Sequence, residues 1–170
     1  MVTSLSTNPI LSPSRPTLDA SMLSKRSRIM MYFEDLFKSM RAYTNDYLTT
    51  WTAVSRKPLT KMEMSSGNAI AMYDVAEQKE DQMQFKLCQL SVFFEFYHQM
   101  AMGEHPADEL ARMLTDVQRA VMSDVTCGGL SINIQEKRNQ SDVDGPLEKS
   151  VTGVVEFTVT YRHAIYDPRR

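Results

Sequence analysis

The chain has 170 residues, 24% of them charged and 42% hydrophobic, with a formal net charge of −2. That length fits one domain with a single core, and the composition excludes wholesale disorder. The charge balance argues against nucleic-acid binding over the whole surface, which needs Lys and Arg clustered on one face.

Residues 1–17 hold Pro9, Pro13 and Pro16 among Ser and Thr. Such a segment buries too little apolar area to offset its ordering entropy, and a flexible N-terminal arm is expected. A single α+β domain is expected over 18–170. Its first helix is predicted from Leu18 to about Arg41, because Ile29, Phe33, Leu36, Phe37 and Met40 recur at spacings of three and four. Asp19 or Ser21 is the expected cap. From Asp46 to Val54 the residues favour a strand, which Pro58 stops. A loop from Lys61 to Asn68 leads to Ala69–Val75, read as a strand with helix as the rival. The polar run Glu77–Gln82 reads as a solvated loop.

Phe85 to Tyr97 is the most apolar run. Cys88, Leu90, Val92, Phe94 and Phe96 share one face, and Phe85, Leu87, Phe93 and Tyr97 share the other. A strand apolar on both faces is either sandwiched between layers or used in an interface; in so short a chain the interface is preferred. Gly103-Glu104-His105-Pro106 is a helix entry, with Asp108 and Glu109 facing the positive end of the helix dipole. Leu110, Met113, Leu114, Val117, Ala120 and Val121 form the stripe of that second helix, and Gly128-Gly129 supplies the turn after it.

Leu130–Ile134 is read as a strand, Gln135–Ser150 as a long charged loop, and Thr152–His163 as a final strand. In the last, Val154, Glu156, Thr158, Thr160 and Arg162 alternate with Val155, Phe157, Val159, Tyr161 and His163. Asp167-Pro168 then takes the chain out of the sheet. The order is helix, three strands, helix, two strands. It predicts an α+β fold: one twisted, mainly antiparallel sheet of about five strands with two main helices packed on it.

Chemistry is sought without success. His98, His105 and His163 fall in unrelated elements, without a nucleophile-elbow sequence. The three are read as a satisfied strand-end ring, an exposed cap neighbour and a hydrogen-bonding group at the sheet edge. Asp142 and Asp144 begin like a calcium loop, but Gly145-Pro146 breaks the spacing and Gly153 stands where the twelfth-position glutamate belongs. Gly128-Gly129 lacks the lysine of a phosphate-binding loop. Cys88 and Cys127 show no zinc or disulfide spacing. The basic runs Lys25-Arg26-Ser27-Arg28 and Arg169-Arg170 are read as solvated edges. No catalytic, metal or cofactor site is expected, and no apolar run reaches membrane-spanning length, so a soluble chain made in the cytoplasm is the expectation.

The run Leu130–Ile134, the polar loop, the strand Thr152–His163 and the Asp-Pro ending, preceded by the second helix, resemble tail-terminator proteins of tailed bacteriophages. The resemblance covers the last forty-four residues well and the first sixty poorly. It implies a structural virion protein at the head-proximal end of the tail: a hexameric ring that caps the tail tube, ends its polymerisation and presents a surface for head joining. Implied partners are other copies of the chain, the tail-tube protein and a head-connector or stopper protein, with genome DNA passing through the lumen without specific binding. Members can stay monomeric until they meet the tube. Candidate contact residues are Lys137, Arg138, Asp142, Asp144, Glu148 and Lys149 in the loop, with Phe93, Tyr97 and Arg162 on the strands. Two other readings stand beside it: another neck component, or a small-ligand-binding or enzymatic α+β domain using the open sheet face as a pocket.

Overall fold

The computed structural model describes residues 20–40, 51, 53–58, 67–144 and 150–170. A 3-10 turn at Ala20–Met22 precedes helix α1, Lys25–Met40. The strands are β1 Ala53–Ser55, β2 Ala69–Gln82 and β3 Phe85–Gln99. Helix α2 then spans Pro106–Met122 and is followed by β4 Asn133–Asp144 and β5 Ser150–Ala164. The five strands form one sheet in the order β1-β2-β3-β5-β4, parallel between β1 and β2 and antiparallel elsewhere. The expected α+β class and mainly antiparallel sheet are both present.

One face of the sheet carries the core. Cys88, Leu90, Val92, Phe94 and Phe96 of β3 are buried there, as are Val155, Phe157, Val159 and Tyr161 of β5. Both helices pack against this face: Ile29, Met30, Phe33 and Phe37 from α1, and Met113, Val117, Ala120 and Val121 from α2. Phe94 is central, meeting Phe33 and Phe157 edge-on with centroids 5.2 and 5.6 Å away, a favoured arrangement for ring quadrupoles. The predicted stripes are thus the buried stripes, although Leu36, Leu110 and Leu114 lie at the rim of the core and the Met40 side chain lies outside what is described.

Several expectations are corrected. Helix α1 begins at Lys25, not Leu18, because Ser24 caps it: its Oγ accepts the Ser27 N–H at 3.2 Å. Ser21 lies in the 3-10 turn, and Asp19 lies outside the described residues. The run Glu77–Gln82 is not a loop but the outer half of β2, turning at Met83-Gln84 into β3. Likewise Gln135 to Asp144 is strand, paired with β5 along its length, while Leu130–Ile132 precede it. Ladder hydrogen bonds ask nothing of side-chain polarity, and an edge strand tolerates charge on its exposed side chains, so an all-polar segment pairs without difficulty. Of the strand expected over Asp46–Val54, only Ala53 and Val54 are described as strand; residues 1–19, including the expected arm, 41–50 and 59–66 lie outside the described residues.

After β5 the chain folds back on the start of α1. The Lys25 N–H donates to the Pro168 carbonyl at 3.0 Å, and Lys25 Nζ donates to the Arg162 carbonyl at 2.9 Å. The two basic runs therefore meet at one corner and are not freely solvated. Arg26 pairs with Asp74 and Glu77, the Arg28 guanidinium donates to the Arg169 carbonyl, and Asp167 holds Arg169 and Arg170.

Candidate assembly interface

The face of the sheet turned away from both helices carries the second apolar series of β3. Phe93 stands there opposite Tyr73 of β2 and Glu156 of β5, and Tyr97 stands opposite Thr152. Tyr73 and Phe93 stack with ring planes 5° apart and centroids at 5.8 Å. The Arg138 guanidinium lies over the Phe93 ring, 5.8 Å from its centroid, and its Nε donates to Glu156 at 2.8 Å. A row of tyrosine, phenylalanine, arginine and glutamate thus crosses β2, β3, β4 and β5. It borders a groove of about 450 Å³ also lined by Glu95, Gln140, Thr152 and Val154. Burial, and then the Glu95 charge, push the Tyr73 hydroxyl up from its ordinary value.

A β-bulge puts Arg138 in this row. In β4, Ile134 and Glu136 pair with Val159 and Phe157 on the core side; Lys137 is then skipped, and Arg138 pairs with Glu156. Uninterrupted alternation would place Arg138 with Ile134 on the helix side, whereas the extra residue turns it to the open face. A second bulge in β2, between Asp74 and Ala76, works the other way. It turns Glu77 to the core side beside Leu90, where the Tyr161 hydroxyl donates to it and Arg26 and Lys79 flank it. Burial alone raises Glu77, yet the Lys79 and Tyr161 hydrogen bonds and the two cations outweigh it, and its carboxyl ends below its ordinary value. Burial, reinforced by Glu77, pushes the Tyr161 hydroxyl up.

The structure therefore puts Phe93, Tyr97, Arg138 and Arg162 on one face, but Arg162 stands opposite Leu87, far along β3 from Phe93, and lies 5.4 Å from the Phe85 ring centroid. Lys137 is the exposed bulge residue of β4, set apart from the pairing. Asp142 and Asp144 take register positions opposite Thr152 and Ser150. Glu148 and Lys149 lie outside the described residues. Sequence reasoning missed Tyr73, Glu95 and Glu156 as neighbours of Phe93. The stacked pair was findable by placing Ala69–Val75 antiparallel to Phe85–Tyr97, but the bulges leave no mark that single-sequence alternation reveals.

The histidines answer separately. His105 is the exposed N-cap residue of α2. His163 is buried and its Nδ1 meets the Ala164 carbonyl at 2.7 Å, at the end of β5 that runs past the last β4 pairing at Thr160. His98 is buried at the end of β3, with Asn68 at Nδ1 and Glu104 Oε2 3.0 Å from Nε2. Cys88 and Cys127 are free and buried, and burial pushes the Cys127 thiol up to about 11. Among the described residues, no helix is long and apolar enough to cross a membrane.

No protein-family model matches the sequence, and no curated protein does. Among solved structures, the chain is similar to the sheath/tube terminator of an extracellular contractile injection system, PVC, in its extended state. The identity is 8% and the TM-score 0.40, with 83% of this chain and 58% of that chain covered. The chain thus spans less than two thirds of that structure's chain.

Proposed function

We propose that this chain is a structural subunit of a phage-type tail, acting by binding: it caps the tail tube as a ring, ends polymerisation and presents the surface that a head-connector or stopper protein joins. The observation that carries the reading is the open sheet face, where Tyr73, Phe93, Arg138 and Glu156 form a continuous row across four strands. An aromatic and arginine centre within a polar surround is the composition that contact surfaces favour. The order of the C-terminal elements, which resembles tail terminators, supplies the tail. A ring needs a heterologous contact between two different surfaces of each copy, and the open face serves as one of them. Genome DNA would pass the lumen without sequence-specific contact, and the finished protein would reside at the head-proximal end of the virion tail. Catalysis has no part in this account.

A second reading uses the same groove, about 450 Å³ between Tyr73, Phe93 and Val154, as a small-ligand pocket. Sedimentation of the full chain, alone and with a tail-tube protein, separates the two. The ring reading predicts a species near six chain masses of 19.4 kDa, at least when tube is present. A chain that stays monomeric with tube present, and tightly binds or turns over a metabolite, would overturn it.

A further inference from the structure

At the joint between β3 and α2, three side chains converge from one short stretch of chain. His98 closes β3, Glu104 ends the turn that Gly103 makes with φ 93°, and Glu109 lies in the first turn of α2. One ligand atom from each lies within 4.8 Å of the other two. His98 Nε2 is 3.0 Å from Glu104 Oε2 and 3.8 Å from Glu109 Oε2. Ligands bound at about 2.0–2.1 Å to a tetrahedral zinc ion stand roughly 3.3 Å apart, so the cluster needs little movement to accept one.

The surroundings of His98 are the second observation. The residue is 7% exposed, and among the described residues its ring nitrogens face acceptors: the Asn68 Oδ1 at Nδ1 and the two carboxylates at Nε2. A neutral imidazole has one N–H. Given to Asn68, that proton leaves the Nε2 lone pair facing two carboxylates, an arrangement that a bound cation satisfies as well as a second ring proton does. Asn68 is also the kind of outer partner that fixes the tautomer of a metal-binding histidine. Glu104 is held in place by the Ala101 N–H, which donates to its Oε2 at 2.6 Å. Arg112 donates to the same Glu109 Oε2 through Nε at 2.8 Å and Nη2 at 2.5 Å and also reaches Asp116 at 3.8 Å, so a metal would have to draw that carboxylate from Arg112, which keeps Asp116 as a partner.

We infer that His98, Glu104 and Glu109 form a binding site for one divalent transition-metal ion of the zinc type, which ties the end of β3 to the start of α2. One imidazole with two carboxylates suits zinc rather than calcium or magnesium, which take oxygen ligands alone, and water would complete the coordination. The inference is independent of the tail reading.

The test is calorimetric titration of Zn2+ into the tag-free full chain after EDTA treatment, with Co2+ absorption reporting coordination. One ion per chain is expected, with a raised unfolding temperature that EDTA reverses. Glu104→Gln and Glu109→Gln should each weaken binding by about tenfold or more while the metal-free variants keep the circular dichroism of the parent. His105→Ala, which removes the exposed neighbouring imidazole, should leave binding unchanged. Absence of zinc binding by the parent would overturn the inference, leaving a ring proton alone to join His98 and Glu104. So would parental affinity in both glutamate variants, or loss of binding in His105→Ala.

Discussion

Gly153 shows how much one side chain decides. It pairs with Phe96, and a Cβ built there would lie 2.2 Å from Phe96 Cζ and 2.6 Å from Cε2. The missing side chain is the space in which the buried ring sits. Gly153→Ala is expected to destabilise the domain by about 1–3 kcal/mol through overpacking, read from the denaturant midpoint at unchanged slope. Phe96→Leu in the same chain should return part of that loss. Asp124 is the other small lock. It accepts from Thr126 N–H at 2.9 Å, Thr126 Oγ1 at 2.5 Å, Gly128 N–H at 2.6 Å and Tyr32 OH at 3.1 Å, joining the turn after α2 to α1. The Thr126 and Gly128 hydrogen bonds hold its carboxyl down to about 2 from 3.8. A depressed carboxyl contributes stability above its unfolded value and loses it as pH falls toward the folded one. Asp124→Asn should therefore cost stability at pH 7 and shrink the loss of unfolding temperature between pH 4 and pH 2, a difference that thermal melts at the two pH values measure.

Elements with clear periodicity were legible in the sequence, and elements without it were not. The stripes of α1 and α2 and the alternation of β3 and β5 come from burial on one side, which the sequence must encode in hydrophobicity. Phe157 lies on the predicted core side and is fully buried among Phe94 and its neighbours. Phe157→Asp places an unpaired carboxylate in that core, at a cost comparable to the whole stability of a domain, and should abolish the cooperative melt seen by circular dichroism. The sequence of strand β4 looks like a loop because its register is set by hydrogen bonds to β5, while its exposed side chains are polar on both faces. Outer β2 failed for the same reason, and the Met83-Gln84 turn gave no warning, since neither residue is the glycine or asparagine that marks two-residue hairpins. Of the candidate contact residues, those on β3 and β5 were legible because alternation sorts them by face. The place of Arg138 beside them was not, because the bulge in β4 changes the phase of its strand.

Among the described residues, α1 and α2 pack on one sheet face, and the opposite face carries the stacked row beside a groove. Phe93 and Tyr73 are only half-buried there, so replacing them tests surface and fold separately. Tyr73→Ala with Phe93→Glu is expected to leave the melt cooperative, with at most about 2–3 kcal/mol lost from the stacked pair, and to abolish assembly. The most direct test of the assembly claim is the length distribution of polymerising tail tubes, imaged by electron microscopy as the full chain is added in increasing amounts. The account predicts shorter tubes of defined length bearing a ring of density at one end, and no such effect from the Tyr73→Ala, Phe93→Glu variant. Tubes that elongate equally with and without the chain, with no density at their ends, would contradict it.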